Sequence, residues 1–136
     1  MRVSAKVDYA LRAMLELATA DGLLKSERIA DAQDIPLKFL QAILLDLRHA
    51  ELVASHRGVE GGHALARPAA EISIADVIRA VEGPLATVRG MRPEELEYRG
   101  AATALRETWI GLRTAMRGVL EETSLADVVA GRETPH

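Results

Sequence analysis

The chain has 136 residues, 49% of them hydrophobic and 27% charged, a balance that suits a globular domain with a helical extension and excludes an intrinsically disordered chain. It contains no cysteine, which excludes disulfides, thiolate nucleophiles and cysteine-held zinc or iron–sulfur centres. The formal charge is −3, with nine Lys/Arg against nine Asp/Glu in residues 1–70 and eight against eleven in residues 71–136, so any polyanion-binding surface must come from local clustering in the first half.

No apolar run reaches the roughly 18 residues of a membrane-spanning helix. The first residues alternate apolar and charged side chains too soon for a secretory signal. A cytoplasmic location is therefore expected.

Residues 4–20 read as an amphipathic helix, with Val3, Val7, Leu11, Met14, Leu15 and Ala18 at spacings of three and four. Ser4 is its expected N-cap, and Asp21-Gly22 its stop, with Gly22 in a left-handed conformation. Residues 26–34 read as a short helix capped by Ser26, with Ile29 and Ala30 turned inward. After a break at Asp34-Ile35, Pro36 opens a helix running to about Ala50. Leu37, Leu40, Ile43, Leu44 and Leu47 form its apolar face, leaving Lys38, Gln41, Asp46 and Arg48 outward. Two short helices joined by a tight turn make a helix-turn-helix.

Leu52–His56 and His63–Ala66 then read as two strands around the glycine-rich turn Arg57-Gly58-Val59-Glu60-Gly61-Gly62. A hairpin directly after the second helix is a wing. Gly58, Gly61 and Gly62 shape its tip, and Arg57 puts a cation there of the kind that enters a minor groove. Residues 72–82 predict a further helix with Ser73 and Asp76 as a capping box, ended by Gly83-Pro84. Residues 84–99 read as a loop with an acidic turn at Glu94, Glu95 and Glu97.

Residues 101–122 predict the longest helix, in which Leu105, Trp109, Leu112, Met116 and Val119 recur at spacings of four, three, four and three. Such a stripe suits a dimerisation helix packed on a second subunit. A last helical turn starts at Thr123-Ser124, and residues 131–136 are expected to fray.

The fold class is thus mainly α with a small β-hairpin wing. The expected organisation is a winged helix-turn-helix over residues 1–83, a connecting or regulatory loop over 84–100, and a dimerisation helix and tail over 101–136. Lys38 and Gln41 are candidate donors to phosphates or base edges, with Ser26 and Phe39 beside them. Arg48, His56 and Arg57 are candidate phosphate contacts. Each has an alternative reading: an ordinary solvated helix face for Lys38 and Gln41, and a side pocket for Phe39. His49 and His63 read better as capping or packing residues. A metal site is rejected, since His49, His56 and His63 stand seven apart with the last two across a hairpin. Trp109 reads as dimer core or as the wall of an effector pocket. No phosphate-gripping loop, zinc-protease motif or nucleophile–base pair appears, so an enzyme is not expected.

The stretches DYALRAMLELA, ERIADAQDIPLKFLQAILLDLRHAELVASHRGVEGG and LARPAAEISIADVIRAVEGPL together resemble the Rrf2 family of bacterial regulators. The tail YRGAATALRETWIGLRTAMRGVLEETSLADV is similar too, so the resemblance covers nearly the whole chain. It implies a homodimer of winged helix-turn-helix subunits that binds palindromic promoter DNA, mostly as a repressor. It implies that the helix opening at Pro36 is the recognition helix and that Arg57 sits in a minor-groove wing. Many members hold an iron–sulfur cluster with three cysteines before the long helix. Here that stretch is LATVRGMRPEELEYRGAA, without cysteine, so no cofactor and no metal are expected. The signal then comes from a small-molecule effector or a protein partner, or DNA binding is constitutive. The alternative to a DNA-binding regulator is a winged-helix protein-interaction module that no longer reads DNA.

Overall fold

The computed structural model describes residues 2–131. Six α-helices and one hairpin follow in order: α1 Ala5–Thr19, α2 Ser26–Gln33, α3 Leu37–His49, β1 Val53–His56, β2 Gly62–Leu65, α4 Ile74–Glu82, α5 Leu105–Leu120 and α6 Leu125–Val129. Short 3-10 turns at Ala69–Glu71, Pro93–Glu95 and Gly100–Ala102 join them.

Helix α1 is the hub, packing on α2, α3, α4, α6 and β2. Ser4 caps it, its hydroxyl accepting from the Val7 N–H at 3.1 Å. Val7, Ala10, Ala13, Met14 and Leu17 are buried, and the two alanines let neighbouring helices approach closely. Val3, expected on this face, precedes the cap and is 76% exposed. The stop also differs from expectation. Ala20 leaves the helix in extended conformation (φ −80°, ψ 143°), and the positive φ falls later, at Gly22. That extended exit carries Leu24 alongside the hairpin, where it exchanges two backbone hydrogen bonds with His63 (2.9 and 2.7 Å). The wing thereby gains a one-residue third strand.

The cap of α2 is also corrected. Lys25, extended by its place beside that bridge, occupies the N-cap position, and Ser26 is the first helical residue without a side-chain cap bond. Asp34 ends α2 in the left-handed region (φ 51°, ψ 53°), and Pro36 precedes α3. On α3, Leu40, Ile43, Leu44 and Leu47 are at most 3% exposed, each contributing about 1.5–3 kcal/mol by burial. Leu37, expected among them, lies in the first turn at 36% exposure. Lys6 and Asp46 pair at 3.0 Å, tying α1 to α3.

Helix α4 carries the expected capping box: Asp76 N–H donates to the Ser73 hydroxyl and Ser73 N–H to the Asp76 carboxylate, both at 3.0 Å. Gly83 ends it at φ 88°. Residues 84–99 fold back through a two-residue hairpin turn in which Val88 and Met91 bond reciprocally at 2.9 Å and Arg89 and Gly90 both have positive φ (53° and 75°).

The long helix is shorter than expected. A 3-10 turn led by Gly100 (φ 57°) occupies its proposed start, and α5 begins at Leu105. The chain then returns to the core. Ser124 and Asp127 form a second capping box at 3.0 Å in each direction, Leu125 N–H bonds to the Ile72 carbonyl at 2.9 Å, and the Leu125 side chain is fully buried in the core, where α6 packs on α1 and on the turn at Ala69–Glu71. Of the tail expected to fray, residues 132–136 lie outside the described residues.

Candidate nucleic-acid interface

The α2–α3 turn is pinned by Ile35, 4% exposed, whose N–H bonds back to the Ala30 carbonyl at 3.0 Å. With its apolar stripe sunk in the core, α3 presents Lys38, Phe39, Gln41, Leu45 and Arg48 to solvent. Phe39 is 64% exposed and Leu45 44%. A helix face that mixes cations, an amide and apolar groups offers donors for phosphates and base edges together with apolar contact for thymine methyls.

The hairpin pairs Val53 with Leu65, Ala54 with Ala64, Ser55 with His63 and His56 with Gly62. His56 and Arg57 are exposed at its tip, followed by Val59 at 91% exposure. Three glycines shape that tip for different reasons. Gly58 has φ 103° with open space around it. A β-carbon on Gly61 would stand 2.2 Å from the His56 carbonyl oxygen, and one on Gly62 would stand 2.7 Å from the Leu24 carbonyl oxygen. Lys25 reinforces the tip, its Nζ donating to the Gly58 carbonyl at 2.9 Å.

Between α3, the start of α2 and the hairpin lies an open cleft of about 270 Å³. It brings together Ser26, Gln41 and Arg48 with two residues not singled out for contact from sequence, Ser55 and His63. Lys38, Phe39, His56 and Arg57 do not line it; they flank it on the first turn of α3 and at the wing tip. Ser55 and His63 face each other across the hairpin, Oγ to Nδ1 at 2.7 Å. Burial, then the nearby Arg48 charge, hold the His63 imidazole below its ordinary pKa, with Glu27 opposing. At neutral pH His63 is therefore an uncharged hydrogen-bonding group. The strand register could have pointed to both residues, since it sets Ser55 directly opposite His63. Lys25 gave no such signal.

Away from this face, α5 has no fully buried residue. Leu105 is 38% exposed, and Trp109, Leu112, Met116 and Val119 are half-buried along one stripe. The Trp109 indole N–H donates to the Tyr98 hydroxyl at 3.0 Å, which ties α5 to the preceding loop. Tyr9 packs on the core beneath the Arg12 guanidinium, 5.0 Å from its ring centre, and Asp8 pairs with Arg12 at 3.1 Å.

A family profile described as Rrf2, iron-dependent transcriptional regulator, matches residues 3–131. The chain is 54% identical over 138 residues to a protein of Mycobacterium tuberculosis (strain H37Rv) named as the HTH-type transcriptional regulator Rv1287, covering all of this chain and 86% of that protein. It is 35% identical over 132 residues to the HTH-type transcriptional regulator CymR of Bacillus subtilis, covering 96% and 91%. The solved structure of that CymR, described as the global cysteine regulator, superposes with a TM-score of 0.81 at 32% identity, covering 98% and 99%. The structure of T. potens IscR gives 0.79 at 30% identity, covering 98% and 89%. The donor set of this chain does not fit an iron or iron–sulfur centre: the sequence has no cysteine, and among the described residues no three His, Asp or Glu side chains group to hold a metal ion. No helix among the described residues is long and apolar enough to cross a membrane. The protein is a winged helix-turn-helix DNA-binding transcription regulator, not an enzyme, and it belongs to the Rrf2 family.

Proposed function

We propose that the protein acts in the cytoplasm as a homodimeric repressor of promoters carrying palindromic sites, without an iron–sulfur cluster. Residues 1–83 read the DNA, residues 84–100 connect and regulate, and residues 101–136 supply the dimerisation helix and tail. The observation that carries the reading is the cleft between recognition helix and wing, where Ser26, Gln41 and Arg48 converge, flanked by exposed Lys38, Phe39 and Arg57. A bulk charge of −3 supplies no general attraction to DNA, so these local contacts must carry affinity.

Pairing through the α5 stripe of Leu105, Trp109, Leu112, Met116 and Val119 sets the two α3 helices into successive major grooves. These grooves lie about one helical turn, roughly 34–36 Å, apart on one face of the duplex. Arg57 enters the adjoining minor groove, with Gly58 and Gly61 keeping the tip narrow.

The test is footprinting of a duplex selected by the protein, with Arg57→Ala as the probe variant. The reading expects two protected half-sites related by a dyad and an affinity loss for folded Arg57→Ala. A single protected half-site, or unchanged affinity in the variant, would contradict it.

A further inference from the structure

A second cleft, of about 330 Å³, opens where α4, the 84–96 loop and α5 meet. Four arginines line it, Arg79 from α4, Arg92 from the loop, and Arg113 and Arg117 from α5, against one carboxylate, Glu94. Its floor includes Pro84 and Leu85, the latter 5% exposed.

The existing ion pairs leave this charge under-compensated. Glu94 pairs with Arg113, and Glu121, outside the cleft lining, serves both Arg79 and, at 3.8 Å, Arg117. Two carboxylates thus answer four guanidiniums. Arg92 makes no ion pair within 4 Å among the described residues, and its charge reaches Glu94 only at longer range. The Arg113 side chain is only 16% exposed, and its Nε–H is buried without an acceptor. Buried donors in proteins are almost always satisfied, so such a group marks a place where an acceptor belongs. Planar guanidinium forks match the paired oxygens of carboxylates and phosphates.

We propose that this cleft is an effector site for a small polyanion bearing carboxylate or phosphate groups, held by Arg79, Arg92, Arg113 and Arg117. The regulatory half of the proposal rests on the regulator reading above. A ligand there bridges α4, which packs on α1 and α3, to α5, the proposed dimerisation helix. It therefore reports occupancy to the spacing of the two recognition helices. Because Trp109 sits one turn before Arg113 on α5 and bonds to Tyr98, its fluorescence reads the same movement.

The experiment titrates the purified full chain with citrate, as the carboxylate arm, and with inorganic pyrophosphate, as the phosphate arm. Sodium chloride at matched ionic strength is the control, and thermal melting and Trp109 fluorescence are the readouts. Saturation by one arm is expected to raise Tm by about 10 °C over the control at ~100 times the dissociation constant. Arg92→Gln, which breaks no ion pair, is expected to abolish that rise with its ligand-free Tm unchanged. Glu94→Gln, which removes the competing carboxylate, is expected to strengthen binding several-fold. Equal effects of chloride and both probes, or an undiminished response in Arg92→Gln, would overturn the site. Binding without any change in operator affinity would overturn its role as an effector site. Loss of operator binding by every protein with the anion response intact would refute the regulator reading and leave the site standing.

Discussion

Replacing Gly61 by alanine tests how far the wing depends on close backbone packing. The added carbon would lie 2.2 Å from the His56 carbonyl oxygen, 2.7 Å from the Arg57 carbonyl carbon and 2.9 Å from its oxygen. All three are backbone atoms, so no side chain can swing away to relieve the contact. Reaching van der Waals distance requires a shift of about 1 Å in the strand end. His56 pairs with Gly62 in the last rung of the hairpin, and Gly61 N–H closes the turn on the Gly58 carbonyl at 3.0 Å. Overpacking of this kind costs about 1–3 kcal/mol, and losing the rung adds about 1 kcal/mol. Gly58→Ala is the internal control. It meets nothing within 4 Å but must hold φ 103°, for a cost of about 1–2 kcal/mol. Thermal melting and anisotropy titration of an operator duplex should therefore rank Gly61→Ala as the more damaging in both readouts. An operator affinity and Tm equal to wild type in Gly61→Ala, or a larger defect in Gly58→Ala, would refute the packing argument.

Three further outcomes are expected. His63 has its folded pKa held below the ordinary value of 6.5 by burial, so its protonation favours the unfolded chain. Its contribution to stability is complete above pH 6.5, declines as pH falls below that value and levels off beneath the folded pKa. Denaturant titrations should show this slope in wild type and a reduced one in His63→Gln, and equal slopes would count against it. Ser124→Ala removes the cap of α6 and should cost about 1 kcal/mol, lowering Tm by about 4 °C, because Leu125 behind that cap is fully buried in the core. An unchanged Tm would mean that α6 does not hold the core. Leu112→Glu, on a helix with no fully buried residue, should yield a helical monomer by light scattering and circular dichroism, and a persistent dimer would remove α5 from the interface.

Much of this architecture was readable locally. Ser4, Ser73 with Asp76, and the apolar spacing of α1 and α3 announce themselves within four residues, because caps and amphipathic stripes are set by the chain next to them. The HTH-plus-wing pattern followed from those elements and from the glycines after Arg57. What escaped is non-local or chemically atypical. Leu24 pairs with a residue far along the chain, and that bridge moves the start of α2 onto Lys25 in place of the expected Ser26 cap. Leu125 belongs to the core only because Ser124 bridges to Ser73, a contact no periodicity encodes. The tight turn at Arg89-Gly90 has arginine where asparagine or glycine is usual, so its signal was weak. In the cleft of the interface, Gln41 and Arg48 were legible from their outward helix positions. Ser55 and His63 became visible only once the hairpin register was known.

The measurement that bears most directly on the central claim is selection of genomic fragments by the purified full chain, followed by affinity for the best fragment at two salt concentrations. The account predicts a palindromic site, strong preference over unrelated duplex, and weakening with salt that reflects a limited set of phosphate contacts. A folded dimer that selects no sequence, with or without added polyanion, would contradict it and leave the winged fold serving protein interaction instead.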